Sequence, residues 1–241
     1  MTIKGKIRDA LFQRGYHIER IDPNGLGHDP FRDIRRLIGD RSGATVFDIG
    51  ANVGQTVQAF RKHLSSPIIY SFEPSPSVFE KLKQRTAGIP DLHLHNLALG
   101  SRSERKLFNE NTQSTQASFL QVGKDYLWDG KVSRQVDVEV ESVDGYCERS
   151  GIKKIDVLKC DTQGYDLEVL KGAIHMFQQH KVHLVLVELI LLELYAEMPK
   201  FEDIYGYLTA AGFSPVGFYN QFFKDSKLGW MDGLFINSQW Q

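Results

Sequence analysis

The sequence has few cysteines and no surplus of basic charge. Its 241 residues include two cysteines, Cys147 and Cys160, which offer neither a disulfide framework nor a zinc-binding pattern. Lys and Arg together number 29 and Asp and Glu number 30, which gives a formal net charge of −1 at pH 7. Because nucleic-acid-binding chains generally carry a basic excess, we expect no nucleic-acid partner. The sparse cysteines suit a reducing compartment.

Long apolar runs are also missing. Residues 1–20 alternate charged and apolar side chains and lack the apolar core of a signal peptide. The most apolar segment, residues 182–196, is too short to span a bilayer and contains Glu188 and Glu193. This segment predicts a buried strand that runs into a helix. We therefore expect a cytoplasmic protein without a membrane anchor, with one sizeable core built from its 41% hydrophobic residues.

A strand–loop–helix pattern stands out at residues 46–54, which read Val-Phe-Asp-Ile-Gly-Ala-Asn-Val-Gly. An apolar run ends in Asp48, two glycines follow, and helical spacing begins soon after. Gly50 and Gly54 lack Cβ atoms, so the backbone and a ligand can approach each other closely. In a parallel α/β sheet such a loop lies outside the carboxyl end of its strand, where small ligands bind.

The remaining pattern alternates strands and helices, which predicts an α/β fold with a mostly parallel sheet and helices on both faces. Residues 1–40 form an expected helical extension, in which Asp29 caps a helix that begins at Pro30 and residues 22–25 form a turn. Residues 41–241 form the expected main domain. Within it, residues 101–141 break the rhythm and predict a β-rich insertion, whose polar segment 114–118 borders the ligand site.

The predicted elements of the main domain are as follows. Strands are expected at residues 45–49, 68–72, 92–97, 155–160 and 182–187, with a closing strand pair at 216–219 and 233–236. Helices are expected at residues 55–63, 77–84 and 143–149, over one continuous stretch containing Leu167 to Phe177, and before Gly212.

Acidic residues follow four of the predicted strands: Asp48, Glu73, Asp161 and Glu188. Glu73 lies about twenty residues past the glycine loop, where an acid accepts hydrogen bonds from both hydroxyls of a ribose. No P-loop motif occurs, and Asn52 stands where a dinucleotide fingerprint has its second glycine, which disfavours a pyrophosphate. The combination fits S-adenosylmethionine, with the loop against the methionine moiety and Glu73 on the ribose.

Five segments, residues 47–54, 72–74, 96–100, 158–173 and 232–235, are similar in order to motifs of FkbM-type methyltransferases. The resemblance spans about residues 28–236 and is most diagnostic at 158–173, Leu-Lys-Cys-Asp-Thr-Gln-Gly-Tyr-Asp-Leu-Glu-Val-Leu-Lys-Gly-Ala. It implies a class I, Rossmann-like methyltransferase fold and methylation of a hydroxyl on a sugar, glycan or secondary metabolite. The cofactor-binding candidates are Asp48, Gly50, Asn52, Gly54, Glu73, Ser75, Asn96 and Ala98.

An alcohol acceptor must lose a proton, and a general base within hydrogen-bond reach assists this step. Asp161 is the first candidate because its strand end should face the methyl group, and Glu188 is the second. Both could instead hold Mg²⁺, but no third ligand has convincing spacing. Two departures from the resemblance concern Gln163, where many members have Glu, and Cys160. Since Gln cannot act as a base, a catalytic role of that Glu does not carry over.

Two other functions stay open at this point. A nucleotide-binding oxidoreductase or epimerase would be expected to have glycine at position 52 and a Tyr-x-x-x-Lys pair, and the sequence has neither. A non-catalytic cofactor-binding module would tolerate substitution of Glu73 and Asp161. The acceptor, the oligomeric state and the pathway are not specified by these motifs.

Overall fold

A computed structural model describes residues 3–16, 22, 25–128 and 132–240. The strands are β1 (Thr45–Ile49), β2 (Ile68–Phe72), β3 (Leu92–His95), β4 (Ala98–Leu99), β5 (Glu104–Asn111), β6 (Val132–Glu141), β7 (Ile155–Cys160), β8 (Val182–Ile190), β9 (Phe213–Lys224) and β10 (Lys227–Asn237). The helices are α1 (Ile3–Phe12), α2 (Pro30–Ile38), α3 (Gln55–His63), α4 (Pro76–Arg85), α5 (Val143–Ser150), α6 (Asp166–Lys171), α7 (Ile174–Gln178) and α8 (Phe201–Ala210). None of these helices is long and apolar enough to cross a membrane.

The central sheet has seven strands in the order β3-β2-β1-β7-β8-β10-β9. The five strands from β3 to β8 are parallel, whereas β10 runs antiparallel to both β8 and β9. Every residue of β7 is buried, as is typical of a parallel strand covered on both faces. The predicted mostly parallel α/β fold is confirmed. The carboxyl ends of β1, β2, β7 and β8 therefore meet at one edge of the sheet.

Two hydrophobic cores cover the two faces of this sheet. Phe47 and Ile49 of β1 belong to the core that includes residues of α5 to α8, while Val46 belongs to the core beneath α2 and α3. This alternation follows from the two-residue period of a strand. Asp48 shares the face of Val46, so its carboxylate is directed to the α2 and α3 side.

The N-terminal extension contains the two expected helices, which differ in packing. Asp29 caps α2, because its Oδ1 accepts the Arg32 N–H at 2.8 Å, and Ile34 of α2 is buried against the sheet. Helix α1 leaves Ile7 54% and Phe12 67% exposed, so these two apolar side chains are not buried against the sheet. The expected turn includes Pro23 and Asn24, which lie outside the described residues. The division at residue 40 stays a prediction.

The β-rich insertion is confirmed as a second sheet of three strands in the order β4-β6-β5. Its first strand, β4, begins directly after the stretch 92–97 that was predicted as the third strand, and β3 ends two residues before the end of that stretch. The chain leaves the central sheet after His95, and Ala98 pairs with Val140 instead. A short 3₁₀ turn at Ser114–Gln116 follows β5 and lies over the carboxyl edge of the central sheet.

Three predicted elements differ from the structure. The expected single helix is divided into α6 and α7 at Gly172, where a Cβ atom would lie 2.0 Å from the carbonyl oxygen of Gly100. No helix follows β8 directly, because residues 191–200 bond to the insertion, with Gly123 N–H donating to Leu194 O at 2.8 Å and Ala196 N–H to Gln121 O at 2.8 Å. The closing strands β9 and β10 are also several residues longer than predicted.

Candidate active site

The glycine loop after β1 packs tightly against the end of β7. Gly50 has φ +76°, and a Cβ atom there would lie 1.9 Å from the carbonyl oxygen of Asp161. Asn52 also adopts the left-handed region with φ +48°, a conformation that Asn tolerates better than most residues. Gly54 has φ +92° and is the N-cap residue before α3, where a Cβ atom would meet the side chain of Thr86 at 2.8 Å. The glycines are therefore required by backbone conformation and packing.

A buried ion pair supports this loop from below. Lys159 Nζ lies 3.1 Å from Asp48 Oδ1 and 3.7 Å from Asp161 Oδ2, and it donates a hydrogen bond to Gly50 O at 3.0 Å. Burial alone would lower the pKa of Lys159, but the charges of Asp48 and Asp161 raise it above its ordinary value. We therefore treat Lys159 as charged. Asp48 is 0% exposed and does not line the cavity, so it acts on the loop through Lys159.

A cavity of about 630 Å³ lies above the loop, within the size range of small-molecule sites. Its walls come from the ends of β1, β2 and β7, from the segment 97–99 and from the insertion. The lining residues are Ile49, Gly50, Asn52, Phe72, Glu73, Pro74, Leu97, Ala98, Leu99, Phe108, Ser114, Thr115, Ala117, Phe119, Asp161, Thr162, Gln163 and Tyr165. Of the cofactor-binding candidates, Gly50, Asn52, Glu73 and Ala98 line this cavity.

Glu73 provides an oriented carboxylate in the wall of the cavity. Its Oε2 accepts the Asn52 N–H at 3.0 Å, and its Oε1 accepts the Ser75 N–H at 2.9 Å. Each oxygen can accept a further hydrogen bond, which is the capacity needed for two vicinal hydroxyls. Burial raises the pKa of Glu73 to about 7, although the two backbone N–H groups oppose this rise.

Ser75 and Asn96 hold the Glu73 segment without lining the cavity. Ser75 is 0% exposed, and its Oγ accepts the Val78 N–H at 3.2 Å as the N-cap of α4. Asn96 Nδ2 donates to the carbonyl oxygens of Glu73 at 2.8 Å and Pro74 at 2.9 Å. The structure thus gives both residues a supporting place next to the cavity.

The insertion closes the cavity and contributes residues that the motifs did not indicate. Phe108 and Phe119 pack edge to face with their ring centroids 5.0 Å apart, and both line the cavity. Ser114 Oγ donates to Asn52 Oδ1 at 3.0 Å, so the insertion is joined to the glycine loop. The expected position of segment 114–118 beside the cavity is confirmed. No sequence motif indicated the two phenylalanines, since neither belongs to a motif at the end of a strand.

A second cavity of about 540 Å³, which we call the acidic cleft, lies on the α2 and α3 side of Asp161. Its lining residues are Phe31, Thr56, Lys159, Cys160, Asp161, Leu186, Val187, Glu188 and Asp232. Asp161 lines both cavities, whereas Glu188 lines the cleft alone. Burial, followed by the nearby charge of Asp161, raises the pKa of Glu188 well above its ordinary value. Glu188 is therefore favoured in its neutral form.

Gln163 joins the two candidate catalytic carboxyls. Its Nε2 donates to Asp161 Oδ1 at 3.0 Å and to Glu188 Oε2 at 2.9 Å. Its Oε1 accepts the hydroxyl of the buried Tyr195 at 2.8 Å, and its backbone has φ +54°. The amide thus satisfies two acceptors and one donor at the same time. In the sequence, Gln163 stood out only because Gln cannot act as the base that Glu could be at this position. In the structure its amide connects Asp161 with Glu188.

Metal ligands were an alternative role for Asp161 and Glu188. Across the described residues, no three side chains of His, Cys, Asp or Glu are arranged to hold a metal ion. The third acid of the cleft, Asp232, instead accepts a hydrogen bond from Asn220 Nδ2 at 2.6 Å.

The strand order, the glycine loop and the acid after β2 together define a class I methyltransferase fold. The family comparison agrees with this class. The chain belongs to the FkbM methyltransferase domain family, whose model matches residues 48–215. The expected family membership is confirmed.

Two curated relatives are similar over part of the chain. One is the 2-O-methyltransferase NoeI of Sinorhizobium fredii, 23% identical over 154 residues, which are 58% of this chain and 61% of the relative. The other is the hexuronic acid methyltransferase AglP of Haloferax volcanii, 24% identical over 163 residues, which are 66% of this chain and 62% of the relative. The chain therefore spans less than two thirds of the length of either relative.

Solved structures resemble the chain more distantly. The magnesium protoporphyrin IX methyltransferase ChlM of Synechocystis PCC 6803, with bound SAM, is 14% identical, with 99% of this chain and 98% of that chain covered and a TM-score of 0.48. The fibrillarin pre-rRNA processing protein of Methanococcus jannaschii is 14% identical, with 86% and 76% covered and a TM-score of 0.48.

Proposed function

We propose that the protein is an S-adenosylmethionine-dependent O-methyltransferase whose acceptor is a hydroxyl of a sugar. The observation that carries this proposal is the position of Asp161, which lies between a cavity suited to a nucleoside and a cleft open to a second molecule. The family membership and the name of NoeI, a 2-O-methyltransferase, support the reaction, and the name of AglP, a hexuronic acid methyltransferase, supports the acceptor class. A cytoplasmic location and the absence of a nucleic-acid partner remain predictions from composition.

The residues of the first cavity fit S-adenosylmethionine. The Glu73 carboxylate would accept hydrogen bonds from the ribose hydroxyls, since each of its oxygens has one backbone donor and room for another. The apolar side chains of Phe72, Leu97 and Leu99 would cover the adenine ring. Gly50 and Asn52 would adjoin the methionine moiety. When bound, the cofactor supplies an activated methyl group, which passes to the acceptor oxygen as its carbon–sulfur bond breaks.

The remaining chemistry belongs to the side chains of the cleft. Asp161 has a half-exposed carboxylate and would accept the proton that the acceptor hydroxyl loses, a role typically worth about 10²–10⁴-fold in rate. Gln163 restrains this carboxylate by donating to Oδ1, and Lys159 lies near Oδ2. Glu188, favoured in its neutral form, is a weaker candidate for the base at neutral pH. Positioning by these contacts would supply much of the acceleration.

Binding measurements test the cofactor assignment directly. Titration calorimetry with S-adenosylhomocysteine should show saturable one-to-one binding, while NAD should show none. Binding of NAD alone would favour the oxidoreductase alternative and overturn the proposal. A non-catalytic module would bind S-adenosylhomocysteine but transfer no methyl group from labelled S-adenosylmethionine to any hydroxyl acceptor.

A further inference from the structure

The sheet face that forms the acidic cleft continues outward into a group of aromatic side chains. Asp232 of β10 lies opposite Glu188 of β8, and Trp230 lies opposite Ile190. Because residues two apart on a strand share a face, Trp230 lies on the same face as Asp232, next to the cleft. Trp230 therefore lies on the face of the sheet that carries the cleft, two residues along the strand from the lining residue Asp232.

Four rings form this group, which we call the aromatic cluster: Tyr126, Trp128, Phe222 and Trp230. Phe222 stacks on Trp230 with ring centroids 3.8 Å apart and an interplanar angle of 14°. Trp128 lies 5.8 Å from Trp230 and 5.4 Å from Tyr126, measured between ring centroids. Phe222 is 37% exposed, while the other three rings are partly exposed. The cluster thus presents aromatic surface beside the cleft.

A β-bulge brings Phe222 into the cluster. Asp232 pairs with Tyr219, so regular antiparallel pairing would place Gln221 opposite Trp230, but the partner is Phe222. The extra residue shifts the register by one position, and such bulges commonly redirect a side chain near a functional site. Asn220, at the bulge, has φ +51° and donates to Asp232 Oδ2 at 2.6 Å. An amide, a carboxylate and stacked rings are therefore adjacent.

The charges of the cleft restrict what it can accept. The acids Asp161 and Asp232 line the cleft beside Glu188, which is favoured in its neutral form. The one cation among the lining residues, Lys159, already pairs with Asp48. A carboxylate on the acceptor would meet these acids without a free cationic partner. An uncharged molecule with hydroxyl groups would find hydrogen-bond acceptors in the same place.

We propose that the acidic cleft and the aromatic cluster together form the acceptor subsite, and that its ligand is an uncharged pyranose sugar rather than a uronic acid. This inference rests on the proposed function and adds the place and the charge of the acceptor. The sugar ring packs against Phe222 and Trp230, and its hydroxyls bond to Asn220 and Asp232. The hydroxyl that is methylated then lies at Asp161.

Substitution of the exposed ring is the first test. A panel of neutral methyl pyranosides, each matched with its uronide, is assayed by transfer of a labelled methyl group from S-adenosylmethionine. Phe222→Ala should raise the KM of the best neutral pyranoside about tenfold, while the Kd of S-adenosylhomocysteine stays within about twofold. Phe223→Ala is the matched control, because Phe223 is the next residue, 58% exposed and outside the cluster. Equal effects of the two substitutions would overturn the aromatic contact.

A charge substitution separates specificity from stability. Asp232→Asn should lower the KM of the uronides relative to that of the neutral partners, a change of preference that a merely structural role would not produce. Phe222→Leu, which keeps apolar bulk, should retain the wild-type circular dichroism spectrum and still show a raised KM.

The outcomes distinguish this inference from the proposed function. Faster methylation of the uronides by the wild-type protein, or no turnover of any neutral pyranoside, would overturn the subsite while leaving S-adenosylhomocysteine binding intact. Failure to bind S-adenosylhomocysteine would instead overturn the proposed function itself.

Discussion

Two carboxyl groups, the buried Glu73 and the partly exposed Glu188, differ in how the protein holds them. Glu73 accepts hydrogen bonds from two backbone N–H groups, those of Asn52 and Ser75. Glu188 accepts one from the side-chain amide of Gln163 and has the acids Asp161 and Asp232 nearby. Backbone hydrogen bonds therefore orient the Glu73 carboxylate without the help of other side chains. The protonation and position of Glu188 depend on neighbouring side chains. Single substitutions should therefore change the acidic cleft more readily than the wall of the first cavity around Glu73.

The largest expected effect lies where the two regions meet. Asp161→Asn should reduce kcat by about 10²–10⁴-fold because the acceptor hydroxyl loses its base. The Kd of S-adenosylhomocysteine, measured by calorimetry, should change by no more than about twofold. Glu188→Gln, which keeps a neutral side chain of similar shape, serves as the comparison and should reduce kcat much less. A larger loss for Glu188→Gln than for Asp161→Asn would reverse the assignment of the base.

The next largest effect concerns Glu73 in the wall of the first cavity. Glu73→Ala should weaken S-adenosylhomocysteine binding about a hundredfold, since two hydrogen bonds to a carboxylate are lost. Far-ultraviolet circular dichroism should show an unchanged fold. Glu80→Ala, an exposed substitution on α4, is the control and should leave the affinity unchanged. Unchanged affinity in Glu73→Ala would show that this carboxylate does not hold the ribose.

A smaller effect concerns the connection made by Gln163. Gln163→Glu replaces the amide donor that serves Asp161 and Glu188 with a further carboxyl group, so kcat at pH 7 should fall about tenfold. Part of the loss should be recovered at lower pH, because protonation of the new carboxyl restores a donor. Gln163→Ala should lose activity without this recovery. Identical pH profiles for the two variants would argue against a role of the amide donor.

The smallest effect is the pH dependence of cofactor binding. The pKa of Glu73 is about 7, above its ordinary value because of burial, so its carboxyl is mostly protonated at pH 6 and mostly ionised at pH 8. Ribose hydroxyls donate better to the ionised form, so the affinity for S-adenosylhomocysteine should rise up to about tenfold between these pH values. The stability of the ligand-free protein should change with pH in the opposite direction. Because burial raises the pKa of Glu73, the contribution of its carboxyl to the free energy of unfolding declines as pH rises from 4.5 through 7. Calorimetry on Glu73→Gln should remove the pH dependence of binding.

Much of the fold followed from local patterns. The strands β1, β2 and β7 and the helices α3 and α5 lie within a residue or so of their predicted bounds, because continuous apolar runs and helical spacing are local properties. The prediction of a helix directly after β8 was wrong, because the backbone of that segment forms hydrogen bonds with residues 121–123 of the insertion, which are distant in sequence. The division between α6 and α7 was also missed, since it depends on close contact with Gly100.

The candidate site shows the same division. The sequence predicted that Glu73, Gly50 and Asp161 lie close together, because a parallel sheet places the ends of its strands at one edge, and all three line the first cavity. The sequence did not reveal the roles of Asp48 and Gln163. Asp48 was expected to adjoin the cofactor, but it is fully buried and pairs with Lys159 instead.

The fold class, the family and the strand ends that line the first cavity could all be inferred from short motifs in the sequence, because each motif lies within one strand–loop–helix segment. Three relations came from the folded chain alone: Asp161 lies between two cavities, Gln163 joins two carboxyls, and a bulge places Phe222 beside Trp230. Those relations join side chains from strands far apart in the chain. Their geometry depends on sheet register and packing, which no local pattern of residues records.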